Sequence, residues 1–285
     1  MKELKILAVI VVLVLIGYWG IEPLAHSIMH KHIEEAIKKY NLPDFKFSDL
    51  DPIPSGLQGN PQAGKEAVKT FCISCHSVKK EGINAPMPPQ AAAQSFGVVP
   101  PDLSNIGGIL DEKYLFNFLK NPQKATENPK FAMPALGLSD QQAIDIVAYL
   151  KSIAKKNMSG KEVVEEGCVR CHSIKYQKIQ ALSPPDTMKK YLGKVPPDLS
   201  VIYKAKGEEY LHAFINKPQA ILPGTGMPRV GLDKEAQEKA IAYLEEIADP
   251  HKEQRTKVGI IVLAYLLVMV GLTYAWKRKI WKNLH

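Results

Sequence analysis

Apolar residues form a dense block at each end of the chain. Residues 258–276 contain no charge over 19 positions, which at about 1.5 Å per residue spans a hydrocarbon core of about 30 Å. Residues 6–21 form a shorter block after Lys2 and Lys5, which fits either a signal-peptide core or a spanning helix. No clear A-x-A cleavage site follows, which favours a retained helix. We predict membrane anchors at residues 1–22 and 250–285.

Between the anchors the apolar positions recur at helical spacing. Ser139 and Gln142 form a capping box ahead of one such stretch, and Asp233 precedes another. The apolar stripes of these two stretches comprise Ile144, Val147, Ala148, Ile153, and then Ile241, Leu244, Ile247. Proline-rich segments such as residues 86–89 precede these two stretches, and they argue against a continuous helix there. The pattern predicts short helices joined by long loops.

An internal duplication covers most of the chain between the two predicted anchors. At an offset of 96, Gly64-Lys65 matches Gly160-Lys161, and a Val-Pro-Pro-Asp-Leu-Ser segment at residues 99–104 recurs at residues 195–200. Pro122-Gln123 matches Pro218-Gln219 at the same offset. The repeat predicts two copies of one domain, at residues 61–156 and 157–249, after a linker at residues 23–60.

The net charge of +8 does not indicate a nucleic-acid-binding surface. Residues 250–285 hold seven lysines or arginines and one acidic residue, so most of the excess flanks the C-terminal apolar block. Basic residues beside a spanning helix mark its cytoplasmic end. We therefore expect contact with a lipid bilayer and none with nucleic acid, with the C-terminus inside and residues 22–257 outside.

Each copy contains a Cys-x-x-Cys-His motif, which is the attachment signature of c-type haem. Two thiols one helical turn apart can bond the two vinyl groups of a porphyrin, and the adjacent imidazole can bind its iron. A thioredoxin-like redox pair, half of a zinc site or a disulfide would not require the histidine twice in register. We predict two covalently bound haem c groups, attached by Cys72, Cys75 and His76 and by Cys168, Cys171 and His172.

The repeat also selects candidates for the sixth iron ligand. Met133 and Met227 occupy equivalent Met-Pro steps just before the last helix of each copy. The position equivalent to Met87 in the second copy is Ser183, so we interpret Met87 as an ordinary loop residue. A thioether ligand raises the reduction potential relative to a second histidine, and a six-coordinate iron leaves no free position for oxygen or peroxide. This favours electron transfer over catalysis at the metal.

A repeated proline step supplies candidates for orienting each imidazole. A metal-bound histidine usually donates its second N–H to a carbonyl or carboxylate. The Pro-Pro-Asp-Leu-Ser segments stand 25 residues after each histidine, and we expect the backbone carbonyls near Pro101 and Pro197 to accept that bond. A rigid turn needed only for folding is the alternative interpretation, and the two are compatible.

Together these motifs resemble two tandem class I cytochrome c domains, an all-α fold, over residues 61–249. The C-terminal anchor with its basic end is similar to that of cytochrome c1, the haem subunit of the quinol-oxidising cytochrome bc1 complex, in the di-haem form of some bacteria. The resemblance implies an inner-membrane protein with its haem domains in the periplasm. It implies cytochrome b and a Rieske iron-sulfur protein as partners, and a soluble cytochrome c or a terminal oxidase as electron acceptor.

Two other protein classes share part of this pattern. The di-haem subunit of a cbb3-type oxidase also carries two cytochrome c domains behind an N-terminal anchor, but it is not expected to end in a second spanning helix. A membrane-bound di-haem peroxidase would need one haem with an open sixth position, whereas both copies here keep a methionine.

Overall fold

The computed structural model describes residues 2–282, and this part of the chain is built from α-helices with no β-strand. The predicted all-α fold is confirmed. Residues 1 and 283–285, the outer ends of the two predicted anchors, lie outside the described residues.

The two terminal segments are long exposed helices. Helix α1 (Lys2–Ile16) continues through a π-helical turn (Gly17–Ile21) into α2 (Glu22–Tyr40), and the chain ends in α14 (Lys252–Lys282). The stretches Lys5–Ala25 and Lys252–Lys282 are long and apolar enough to cross a membrane, and the most apolar 18-residue segments within them have mean hydropathies of 2.2 and 2.4. The apolar pattern did not predict that the first helix continues to Tyr40, through the first part of the expected linker.

The middle of the chain repeats one series of helices. The first module contains α3 (Pro61–Phe71), α4 (Pro89–Phe96), α5 (Glu112–Lys120), α6 (Pro122–Ala125) and α7 (Asp140–Ile153). The second module contains α8 (Gly160–Gly167), α9 (Pro185–Leu192), α10 (Ile202–Lys206), α11 (Glu208–Asn216), α12 (Pro218–Ile221) and α13 (Lys234–Ala248). Short 3₁₀ turns stand at Lys79–Glu81, Ile106–Gly108 and Lys175–Gln177.

In each module the first helix crosses the last at very short range, and a repeated glycine makes this possible. A Cβ at Gly64 in α3 would lie 1.9 Å from the Asp145 carbonyl oxygen in α7, and one at Gly160 in α8 would lie 2.3 Å from the Lys239 carbonyl oxygen in α13. The last helices begin as predicted, with a complete capping box at Ser139 and with the Asp233 side chain accepting a bond from the Ala236 N–H.

The two modules share one continuous apolar core. Backbone bonds join them, since the Asp111 N–H donates to the Gly231 carbonyl at 3.0 Å and the Asp233 N–H donates to the Ile109 carbonyl at 2.9 Å. The buried Tyr114 of α5 donates its hydroxyl hydrogen to the Arg229 carbonyl at 2.8 Å. The modules therefore pack as one body, which the duplication alone did not predict.

Residues 41–60, which we call the strap, tie the N-terminal helix to both modules. Phe47 of the strap is buried, 1% exposed, and its ring lies 5.4 Å from that of Tyr114 in the first module. The Asp44 N–H donates to Asn216 Oδ1 of the second module at 2.9 Å. The Asn60 N–H donates to Asp145 Oδ1 of the first module at 2.7 Å. The strap is thus an ordered segment that contacts both modules.

Candidate haem-binding sites

Each Cys-x-x-Cys-His motif begins at the C-terminal end of the first helix of its module. At the end of α3 the Cys72 N–H donates to the Val68 carbonyl. In the next turn the His76 N–H donates to the Cys72 carbonyl at 2.9 Å. In the second module His172 bonds the Cys168 carbonyl at the same 2.9 Å. One extra helical turn thus holds the two cysteines and the histidine together in both copies.

The first cysteine of each motif has a raised thiol pKa, unlike the reactive cysteine of a redox pair. All four lie in the described part of the chain and none forms a disulfide there. Burial raises the pKa of the Cys72 thiol to about 11 and that of Cys168 to about 12. Reactive Cys-x-x-Cys pairs depend on a lowered thiol pKa, so the structure favours a structural or attachment role.

Both histidines bond the carbonyls that we expected. His76 Nδ1 lies 2.9 Å from the Pro101 carbonyl oxygen, and His172 Nδ1 lies 2.7 Å from that of Pro197. A carbonyl oxygen can only accept, so Nδ1 carries the proton in each ring. Burial lowers the pKa of both histidines and keeps the rings neutral, although the carbonyl bond opposes this effect. Each Nε2 therefore keeps a lone pair for a metal, as a haem ligand requires.

The aspartate of the Pro-Pro-Asp-Leu-Ser segment holds the loop that carries each of these carbonyls, a role that we did not predict. Asp102 Oδ2 accepts the Ser77 hydroxyl at 2.5 Å and the Lys79 N–H at 3.2 Å, while Oδ1 accepts the Ser104 N–H at 2.9 Å. Burial alone would raise the pKa of Asp102, but the bonds from Ser104 and Ser77 outweigh it and lower that pKa. The carboxylate ties the proline loop to the residues that follow His76.

The second module repeats this arrangement around Asp198. Its carboxylate accepts the Ser173 hydroxyl at 2.9 Å, the Lys175 N–H at 3.0 Å and the Ser200 N–H at 3.0 Å. The sequence contained a signal for this role, because the serine after each histidine and the aspartate after each proline pair recur at one spacing.

The candidate methionines lie on half-buried loops between the short α6 or α12 helix and the last helix of each module. The Gln123 side chain donates to the Phe131 carbonyl at 3.0 Å and to the Met133 carbonyl at 2.8 Å. In the second module Gln219 donates to the equivalent Thr225 carbonyl at 2.7 Å. The repeated Pro-Gln step thus braces each methionine loop. Among the described contacts, no hydrogen bond joins either methionine to its Cys-x-x-Cys-His segment.

The two sites are close enough to influence one another. Arg170 stands between the two cysteines of the second motif, and its charge lowers the pKa of His76 in the first, after the larger effects of burial and of the Pro101 bond. The Val99 N–H, just before the first proline loop, donates to the fully buried Ser183 hydroxyl oxygen at 2.9 Å. Neither the motifs nor the repeat predicts a role for Ser183 or Arg170.

Both donor sets fit haem c. Each contains two thiols one turn apart, an oriented imidazole whose Nε2 is left for a metal, and a braced methionine loop in the same module. The cytochrome c family model matches residues 61–154 and 158–248, more than half of the chain. The chain belongs to the cytochrome c family. As a cytochrome c it is an electron-transfer protein that binds haem c covalently.

Individual relatives extend over parts of this cytochrome c. Cytochrome c of Tetrahymena pyriformis is 31% identical over 100 residues, covering 34% of this chain and 91% of that protein. The ammonia monooxygenase gamma subunit of Nitrosomonas europaea is 29% identical over 133 residues, covering 33% of this chain but only 57% of that protein. The chain thus spans little more than half the length of the second relative.

Two further comparisons concern cytochrome c1 and a respiratory complex. The cytochrome c1 family model matches residues 230–284, which include the last helix of the second module and α14. A solved chain of a hyperthermophilic respiratory complex III is 30% identical, covering 44% of this chain and 75% of that chain. Its TM-score is 0.36, too low for an argument from the shared fold.

Proposed function

We propose that this cytochrome c is a membrane-anchored two-haem electron carrier. The observation that supports it best is the duplicated site. In both modules the histidine Nδ1 lies at nearly the same distance from a proline carbonyl oxygen, 2.9 and 2.7 Å. In the proposal Cys72, Cys75 and His76 hold one haem with Met133, while Cys168, Cys171 and His172 hold the other with Met227.

A haem held by His76 and Met133, or by His172 and Met227, would supply an iron that gains or loses one electron. The chain's own groups keep that site unchanged in both states. The Pro101 and Pro197 carbonyls fix the imidazole planes, and the Asp102 and Asp198 carboxylates hold the two proline loops. Little reorganisation of the protein is then needed when charge arrives or leaves.

Within this proposal the chain is the cytochrome c1-type subunit of a bacterial quinol–cytochrome c reductase (bc1) complex. The cytochrome c1 match at residues 230–284 supports this assignment. The apolar terminal helices would anchor it in the inner membrane with both modules in the periplasm. A Rieske protein beside cytochrome b would donate the electron, and a soluble cytochrome c or a terminal oxidase would accept it. The C-terminal helix disfavours the cbb3-type oxidase subunit.

Haem counting and methionine substitutions test the two-haem assignment. The purified full-length protein should contain two covalently attached haems, measured by pyridine haemochrome and by intact mass. Met133→Ala and Met227→Ala should each lower the potential of one haem while leaving both attached. Met87→Ala is the matched control, since Met87 is a half-buried loop methionine whose counterpart is Ser183. Redox titrations in which all three variants behave like the parent protein would refute the ligand assignment.

Native purification tests the assignment to a complex. If the proposal is correct, the protein extracted in mild detergent should copurify with a cytochrome b and a Rieske protein. Copurification with a copper-haem oxidase and no cytochrome b would instead favour the cbb3-type alternative. Rapid peroxide turnover by the purified protein would favour a peroxidase.

A further inference from the structure

One tyrosine of the second module contacts the methionine loop of the first. The Ala132 N–H, immediately before Met133, donates to the Tyr191 hydroxyl oxygen at 2.8 Å. Tyr191 lies near the end of α9, 59 residues away along the chain. The loop that carries the first candidate sixth ligand is therefore held partly by the other module.

The same ring lies directly on the first module's backbone. Gly97 ends α4 with a φ of +81°, and a Cβ at this position would lie only 2.4 Å from Tyr191 Cγ. Any side chain at position 97 would displace the ring. The contact is thus close at both ends of the tyrosine, with the hydroxyl on the methionine loop and the ring on the glycine.

The residue after Tyr191 contacts the second methionine loop. A Cβ at Gly226, immediately before Met227, would lie 2.5 Å from the Leu192 carbonyl oxygen. The nearby Cys171 thiol contributes to raising the pKa of Tyr191, after the larger effect of burial. Residues 191 and 192 therefore lie between the two methionine loops and close to the second attachment motif.

The repeat shows that this contact is not needed to fold a module. The position equivalent to Tyr191 in the first module is Ser95. The glycine equivalent to Gly97 is Gly193, which has nearly the same φ of +82° but no heavy atom within 4 Å of a Cβ built there. The contact is made once, where one module meets the other.

We propose that Tyr191 is a positioning residue that couples the two haem sites. It holds the Met133 loop against the second module, and so stabilises the sixth ligand of the first haem and fixes the gap that an electron crosses between the haems. The proposal rests on the two-haem function proposed above. In the step, an external one-electron reductant reduces one haem, that haem is reoxidised as the other is reduced, and no bond is formed or broken.

The first test is Tyr191→Phe in the detergent-solubilised full-length protein. Loss of the hydroxyl removes the acceptor of the Ala132 N–H, so hydrogen exchange in the peptide around residue 132 should accelerate about fivefold. The equivalent peptide around residue 226 should be unchanged. The potential of one haem should fall and the red charge-transfer band of its methionine-ligated ferric form should weaken. After flash reduction with a soluble ruthenium photoreductant, electron exchange between the haems should slow.

A matched pair of glycine variants separates the contact from backbone strain. Gly97→Ala and Gly193→Ala force alanine into the same left-handed conformation, but only the first places a methyl group in the Tyr191 ring. Gly97→Ala should therefore reproduce the effects of Tyr191→Phe on the haem potential and on electron exchange. Gly193→Ala should leave both at the values of the parent protein.

The outcomes distinguish this inference from the proposed function. Two attached haems, with both Tyr191→Phe and Gly97→Ala indistinguishable from Gly193→Ala in potential, spectrum and exchange rate, would overturn the role of Tyr191 alone. Fewer than two attached haems in the parent protein would overturn the proposed function and the coupling together.

Discussion

Replacing Arg229 with methionine would remove the central cation of an ionic cluster between the strap and both modules. Arg229 Nη2 lies 2.7 Å from Asp49 Oδ2 of the strap and 2.8 Å from Glu127 Oε1 of the first module. Lys217 of the second module also contacts both carboxylates, at 2.9 and 2.6 Å. Methionine keeps much of the aliphatic length of arginine, so the substitution tests the charge and its hydrogen bonds.

The burial of Arg229 sets the expected size of the effect. Its side chain is only 2% exposed, whereas those of Asp49 and Glu127 are 40% and 20% exposed, so the loss should fall below the roughly 3–5 kcal/mol of a fully buried ion pair. Lys217 would still neutralise part of the charge on both carboxylates, which reduces the expected loss further. We therefore expect Arg229→Met to lower the free energy of unfolding by about 2 kcal/mol.

The assay is denaturant unfolding of the detergent-solubilised full-length protein, followed by far-ultraviolet circular dichroism and by Soret absorbance. Arg255→Met provides the control, because Arg255 also contacts an aspartate, Asp249, through both Nη atoms. Its side chain is 63% exposed, so the loss there should stay below about 1 kcal/mol.

Equal losses of stability in the two arginine variants, or a loss below about 1 kcal/mol in Arg229→Met, would refute this expectation. A double-mutant cycle with Asp49→Asn isolates the pair itself. Because Asp49 and Arg229 are in direct contact, their losses should not be additive. Strict additivity would show that the stability of the interface comes from other contacts.

Gly64→Ala should cost about 1–3 kcal/mol in denaturant unfolding, because the new methyl group meets the Asp145 carbonyl, and an unchanged midpoint would contradict the tight helix crossing. Burial alone would raise the pKa of Asp49, but the bonds from Arg229 and Lys217 lower it from 3.8 to about 2. Since that pKa lies below the unfolded value of about 3.9, the contribution of the ionised carboxylate is fully present above about pH 4 and is lost as the pH falls toward 2. Unfolding measured against pH should show this loss in the parent protein and not in Asp49→Asn. Gln219→Ala should loosen the second methionine loop and shift the potential of one haem only, and Gln123→Ala should shift the potential of the other haem only. Equal shifts of both potentials in a redox titration of either variant would contradict this prediction.

The sequence by itself determined the local chemistry of this protein and its helical elements. The attachment motifs are contiguous, so their spacing alone places two thiols and an imidazole on one helical turn. The repeat then identified equivalent residues, including the prolines whose carbonyls bond His76 and His172. The N-terminal caps and apolar stripes of the last helices depend on neighbours three or four residues away, and they too could be predicted from pattern.

Only the tertiary structure decided how the two modules are joined. The contacts at Tyr191, Arg229 and the strap connect residues 59 to 180 positions apart, and no period or motif relates such positions. The repeat does not reveal these contacts either, because the two modules use different, non-equivalent residues on the two sides of their interface. Pairing of this kind depends on three-dimensional packing and on the desolvation of charges at the interface, neither of which is written in the local order of residues.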